Sequence, residues 1–153
     1  MAQGKIIVAP ALPEEQEWIA RLLAGTDPWV TLGIGLEKCL AAVRDPQHEV
    51  YVAKTNGEAA GAMIIHPKGL AGAAYLKSIA VAPTWRGQGI GAAMLHYAEQ
   101  RYKSRSRHFF LCVSDFNERA RAFYDRQGYA PVGLLKDHIM DGKSEHLLVK
   151  RLV

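Results

Sequence analysis

The sequence has no apolar run long enough to cross a bilayer, no internal repeat, no low-complexity tract and no long linker. Cysteine is scarce, with two in 153 residues, and Cys39 and Cys112 are neither closely spaced nor set in a metal-binding pattern. A disulfide scaffold and a zinc module are therefore excluded, and no metal site is expected. Met1 to Pro10 lacks the basic start, apolar middle and small-residue cleavage site of a secretory leader. These absences lead to the expectation of a reduced cytoplasmic protein with no membrane partner. Apolar residues make up 49% of the chain and charged residues 22%, the balance of a folded domain with a real core. A single domain over residues 1–153 is expected.

The net charge is +4, with a local cluster at Arg101, Lys103, Arg105, Arg107 and His108. The cluster is short and carries no nucleic-acid reading motif, so a solvated helix end is the favoured reading and nucleic acid is not an expected partner. Modest attraction for a small polyanion is a further use of such charge.

Hydrophobic spacing and turn chemistry predict the elements. Lys5 to Ala9 is rich in Ile and Val and reads as a strand. Pro13 with Glu14 and Glu15 opens a helix whose apolar face is Trp18, Ile19, Leu22 and Leu23, ending at Gly25. A second helix spans about Gly35 to Val43 and stops at Asp45-Pro46. Val50 to Lys54 and Glu58 to His66 flank Asn56-Gly57, a hairpin signal because both turn residues tolerate positive φ. Ala74 to Val81 is a third strand of that meander. Ile90, Ala93, Met94, Tyr97 and Ala98 then recur at helical spacing. Arg107 to Val113 is an apolar strand, Asn117 to Gln127 a helix, and Tyr129 to Ile139 with Ser144 to Arg151 a pair of strands. The predicted order is β-α-α-β-β-β-α-β-α-β-β, an α/β fold with a mixed central sheet flanked by helices.

The segment Ser78 to Gly91 carries the chemistry. A strand runs into a turn containing Gly87, Gly89 and Gly91, and a helix begins at once. The first N–H groups of a helix lack internal acceptors and lie at its positive end. Glycines let a pyrophosphate approach them, and Arg86 can add a charge-assisted bond. Alone, this run also fits a tight turn that binds nothing. A P-loop would need Gly-Lys-Ser/Thr, but Ala92-Ala93 follows Gly91. A dinucleotide fingerprint has other glycine spacing and a later acidic residue, where this chain has Leu111.

Arg86-Gly87-Gln88-Gly89-Ile90-Gly91 after Ile79-Ala80-Val81 resembles the acetyl-CoA signature of the GNAT family of N-acetyltransferases. Asn117 and Ala120, with Phe123-Tyr124 and Gly128-Tyr129, resemble that family's second signature. Gly133 to Asp137 with Gly142 and Glu145 resemble the last hairpin of many small members. The resemblance runs from about Ile6 to Arg151 and implies acetyl-CoA as cosubstrate, with an amine as acceptor. It implies that the backbone of Ile79 to Val81, Ala80 included, holds the pantetheine arm. Arg86, Gly87, Gln88, Gly89, Ile90 and Gly91 are implied to hold the pyrophosphate. Asn117 is implied to contact pantetheine near the thiol, and Tyr124 to protonate the departing thiolate. Without the resemblance, Tyr124 reads as a half-buried core aromatic.

Acetyl transfer needs two positioned reactants, N–H groups for the developing oxyanion, an acid at sulfur and a base at nitrogen. Strands splayed near Val81 and Val113 would supply the cleft. The base is not legible. Members resembling the ribosomal-protein alanine acetyltransferases carry glutamate at the position of Cys112, so their mechanism does not transfer directly. His66, Tyr75, His138, Glu145 and His146 are candidates, each with a plainer structural or solvated reading. Cys112 as an acylated nucleophile would need a lowered pKa, and a buried small hydrophobe is the plainer view. Trp29, after Asp27-Pro28, reads equally as a lid over the acceptor or as core. The alternative function is a non-catalytic acetyl-CoA-binding module, which retention of Asn117 and Tyr124 disfavours. A homodimer is compatible with the sequence.

Overall fold

A computed structural model describes residues 4–153. Strand β1 (Ile6–Pro10) is followed by a 3-10 turn at Pro13–Glu15 and by helix α1 (Gln16–Ala24). The entry to α1 is fixed by Glu15, whose carboxylate accepts from the Leu12 N–H at 2.8 Å and pairs with Lys54 at 2.7 Å. A one-turn helix α2 (Trp29–Leu32) precedes α3 (Leu36–Arg44). The sequence predicted two helices here, and α2 is the difference: four residues are too few to show a period. The meander is β2 (Glu49–Thr55), β3 (Glu58–Leu70) and β4 (Ala73–Val81). Its first turn is at Asn56 and Gly57, both at positive φ, as predicted. The second turn, Ala71-Gly72, lies beyond Pro67, so β3 is longer than its predicted end at His66. Helix α4 (Ile90–Tyr102), β5 (His108–Ser114), α5 (Glu118–Arg126), β6 (Ala130–Met140) and β7 (Lys143–Arg151) complete the chain.

The strands form one sheet in the order β1-β2-β3-β4-β5-β7-β6. Every neighbouring pair is antiparallel except β4 with β5, which is parallel. On one face, Ile90, Met94, Leu95, Ala98 and Tyr102 of α4 pack on Met63, Ile65, Leu76, Phe109 and Leu111. On the other, Ile19, Leu23, Cys39 and Val43 of α1 and α3 pack on Ala62, Ile64 and Ala80. Burying both faces explains why β3 is apolar from Ala59 to Ile65 and does not alternate there.

Two irregularities in β4 create the functional cleft. Ile64 pairs with Ser78 and Ile65 with Leu76, so Lys77 is an extra residue bulged out of the ladder. Leu76 consequently packs beneath α4, whereas Ala80 packs beneath α1 and α3. In a regular strand both would share a face. Pairing of β4 with β5 covers only Ala74–Leu76 against Phe109–Leu111. Beyond it the strands separate, and the backbone edge of β4 from Lys77 to Val81 is left without a strand partner on that side.

Candidate active site

The gap between β4 and β5 opens into a cleft of about 1160 Å³. Ile79, Ala80 and Val81 form one wall, and Arg86, Gly87, Gly89, Ile90 and Gly91 continue it onto the start of α4. Gly89 is the residue before the helix, at φ 84, a conformation open to glycine with little strain. Among the described residues, no side-chain cap bond is made at the start of α4, where the N-cap is Gly89. Its first N–H groups therefore stand free at the positive end of a 13-residue helix, on the cleft wall. An anion can be held here by backbone alone. Arg86 reinforces the loop by donating from Nε to the Val81 carbonyl at 3.1 Å. Gln88 differs from its neighbours. It does not line the cleft, and its amide donates to the Thr84 carbonyl at 3.3 Å. Gly91 serves packing as well, because a Cβ there would meet the Phe123 ring at 3.3 Å.

The start of α5 faces this loop. The Asn117 side chain accepts from the Ala120 N–H at 3.2 Å and caps the helix, so it has a structural task while lining the cleft. Tyr124 lies about two turns further on, also on the cleft wall, with 6% of its surface exposed. Burial pushes its phenol up, so it remains protonated through neutral pH. Tyr129 is a strut: its hydroxyl donates to Glu99 of α4 at 2.8 Å. Lys150 binds the same carboxylate at 3.0 Å and the Gln127 carbonyl at 2.9 Å, so α4, the end of α5 and β7 are joined.

Three of the five base candidates, Tyr75, His138 and Glu145, reach the cleft; His66 and His146 do not line it. His66 packs edge-on against His48, with ring centres 5.6 Å apart. Burial pushes the Tyr75 phenol up, and neighbouring Cys112, Glu145 and Tyr124 act in the same direction. The Cys112 thiol is also pushed up, by burial and by Glu145, with Tyr75 opposing. A thiol in that state supplies little thiolate, so its surroundings do not activate it as a nucleophile. Glu145 is buried directly across the β5–β7 ladder from Ser114. Its carboxyl is raised by burial and by Asp115, with Ser114, His138 and His146 pulling the other way.

The far end of the cleft is bounded by the segment from Gly25 to Ile34. Asp27 fixes it by accepting from both the N–H and the hydroxyl of Thr31, at 3.0 and 2.6 Å. Trp29 packs on the α1–α3 core, as one of its two readings had it, and also lines the cleft. Sequence reasoning missed Lys38, Lys77, Ser114, Arg119 and Arg126, all on the cleft wall. Arg119 and Arg126 are seven residues apart on α5, and that helical spacing was the available signal. Lys77 was hidden by the bulge.

Two members of the basic cluster, Arg101 and Arg105, have structural partners at the end of α4. The Tyr102 hydroxyl donates to Glu49, Arg105 pairs with Glu49 at 3.1 Å, and Arg101 donates to the Tyr51 hydroxyl at 2.8 Å. Among the described residues, no group of three or more His, Cys, Asp or Glu side chains is placed to hold a metal, and no helix is long and apolar enough to cross a membrane.

The fold is similar to that of a protein assigned to the GNAT acetyltransferases from Desulfovibrio desulfuricans. The TM-score is 0.83 at 20% identity, over 97% of this chain and 100% of that one. An aminoglycoside 6'-N-acetyltransferase solved with coenzyme A matches with a TM-score of 0.79 at 19% identity, over 96% of this chain and 97% of that one. In sequence, the chain is 36% identical over 84 residues to a 5-NmdU N-acetyltransferase of Pseudomonas phage PaMx11, covering 55% of this chain and 59% of the relative. The curated relatives are matched over 59% and 65% of their own lengths. Both the glycine loop and the α5 segment fall within residues 14–129, which match the acetyltransferase (GNAT) family, and the chain belongs to that family.

Proposed function

We propose that the chain transfers an acetyl group from acetyl-CoA to a primary amine by direct attack within a ternary complex. The observation that carries this reading is the continuity of one wall: the unpaired edge of β4 leads into the uncapped start of α4. An extended amide-bearing arm can add to the strand edge from Ile79 to Val81, and a pyrophosphate can sit on the N–H groups of the Arg86–Gly91 loop. Gln88 then supports that loop from outside by its bond to Thr84. The thioester would lie where β4 and β5 separate, near Asn117 and Tyr124, and Tyr124 would donate a proton to the leaving sulfur. The Lys38 and Trp29 side of the cleft would receive the amine. Two free thiols suit a reducing compartment, so the reading places the protein in the cytoplasm. A homodimer would pair along β6, one of the two outer sheet edges, where Val132 and Leu134 are exposed.

Acetyl-CoA at about a hundred times its dissociation constant should raise the melting temperature by roughly 5–10 °C, because a ligand of the folded state stabilises it by mass action. Substitution at Gly89 would add strain at positive φ, so Ala92→Glu is the cleaner variant. It puts a carboxylate on the cleft wall in the first turn of α4. The variant should fold and lose the shift. A full shift in Ala92→Glu would remove the assigned phosphate loop, and no shift in the wild type would remove the acetyl-CoA reading.

A further inference from the structure

Carboxylates are rarely buried without partners, because leaving water uncompensated is costly. Glu145 is 6% exposed, and its Oε2 is sealed from solvent with no hydrogen bond. The Ser114 hydroxyl, its cross-strand neighbour, is equally buried and makes no well-aligned hydrogen bond, though it lies close enough to the Glu145 carboxyl to favour its charged form. An apolar pair at these two ladder positions would be more stable, so both groups are held there at a cost to the fold. Both line the cleft, as do Tyr75, Cys112 and Tyr124. Glu145 thus places a carboxyl on β7 at the base of the β4–β5 gap, while Cys112 occupies β5 beside it, two ladder positions from Ser114.

We propose that Glu145 is the general base of the transfer, taking a proton from the acceptor amine directly or through one water. Ser114 acts as a positioning residue for its carboxyl. The inference rests on the acetyl-transfer reading and names the group that reading lacks. The acceptor arrives as R–NH3+ and gives one proton to the Glu145 carboxylate. The freed lone pair then forms the C–N bond to the thioester carbonyl, and the C–S bond breaks. The nitrogen sheds a second proton to solvent water on becoming an amide, and the departing thiolate gains one from Tyr124, whose phenolate solvent then reprotonates. Glu145 releases its proton, and the net products are the acetamide, CoA thiol and one proton to solvent. The charged and titratable groups facing Glu145 are Tyr75 on β4, Cys112 on β5, Asp115 just after it, His138 on β6 and His146 on its own strand. Burial raises the Glu145 carboxyl, which brings it closer to the pH range where a base for an ammonium works best.

The test is the pH profile of kcat/KM for wild type, Glu145→Gln, Glu145→Asp and His138→Gln. The substrate is a primary amine found active in a screen, and the acetyl-CoA thermal shift is measured alongside. Glu145→Gln should lose about 10²-fold at neutral pH and recover as alkaline conditions free the amine. Its acetyl-CoA shift should be intact, and its melting temperature should equal or exceed that of the wild type, because a buried unpaired charge has gone. Glu145→Asp, a carboxylate withdrawn by one methylene, should keep an acidic limb at a displaced pH with about tenfold lower rate. Wild-type kcat/KM at every pH in Glu145→Gln overturns the assignment and leaves acetyl transfer standing. So does a loss confined to His138→Gln, or an unmoved limb in Glu145→Asp should the glutamine variant not fold. A wild-type protein that binds acetyl-CoA yet acetylates no amine overturns both readings.

Discussion

Tyr124 and Cys112 share the cleft but differ in what burial does for them. Burial of a phenol preserves the neutral form, and neutral is the state an acid needs before the reaction. Burial of a thiol preserves the neutral form too, and that is the inactive state of a nucleophile. The same physical effect therefore supports an acid at Tyr124 and opposes a covalent role at Cys112. A thiolate is a weaker base than a phenolate, so proton transfer from Tyr124 is incomplete when the C–S bond breaks. Tyr124→Phe should slow turnover by about 10²-fold, the low end of general-acid effects, without abolishing it. The phenylalanine ring still fills the site among Phe123 and Tyr129, so acetyl-CoA affinity should change little. CoA release should be followed with chemistry rate-limiting. Equal rates in the two proteins would mean that Tyr124 is not the acid.

The elements that position these residues are α4 and α5, and they meet at Gly91 and Phe123. A Cβ on Gly91 would approach the Phe123 ring at 3.3 Å, so the ring must move if anything larger is placed there. Gly91→Val should cost about 1–3 kcal/mol by overpacking, measured by urea unfolding. Phe123→Leu in that background should recover part of the loss, and strict additivity of the two changes would show that the helices do not meet as described. This contact also marks where sequence reading stops. Asn56-Gly57 was legible because turn chemistry is local, and the glycine loop because a strand, glycines and a helix follow one another directly. The hairpin at Ala71-Gly72 was not, since alanine at positive φ carries no local signal. Nor was α2, too short for a period, or the bulge at Lys77, which exists only in the pairing of two strands. In the site, the cleft wall from Ile79 to Gly91 is one nearly continuous stretch and could be read from the chain. The environment of Glu145 could not, because Ser114, Cys112 and Tyr75 come to it from two other strands.

Across the whole molecule, α4 is anchored at both ends to different parts of the sheet. Its first turn faces the cleft, and its last turn is tied to β2 through Glu49. The Tyr102 hydroxyl and the Arg105 guanidinium both bind this carboxylate, and Arg101 joins through Tyr51. Burial acts to raise the Glu49 carboxyl, but the bonds from Tyr102 and Arg105 and the nearby arginine charges outweigh it and hold it below the usual carboxylate range. A carboxyl whose folded pKa is depressed stabilises the fold fully above its unfolded pKa, near 4.3, and loses that contribution as pH falls through the folded value. Glu145 works in the opposite sense, since its raised carboxyl disfavours the folded state as it ionises and that penalty vanishes in acid. Comparing wild type with Glu49→Gln isolates the first effect. The Glu49 side chain is 36% exposed, so solvent screening limits the pair, and the variant should lose on the order of 1 kcal/mol at pH 7. The difference should shrink as pH falls from about 4.5 toward 3, where wild-type Glu49 is protonated as well. Urea unfolding at steps between pH 3 and 7 gives both curves. A difference that stays constant over the whole range would show that the Glu49 charge does not hold the end of α4, and that packing of Tyr51, Tyr102 and Phe109 does so alone.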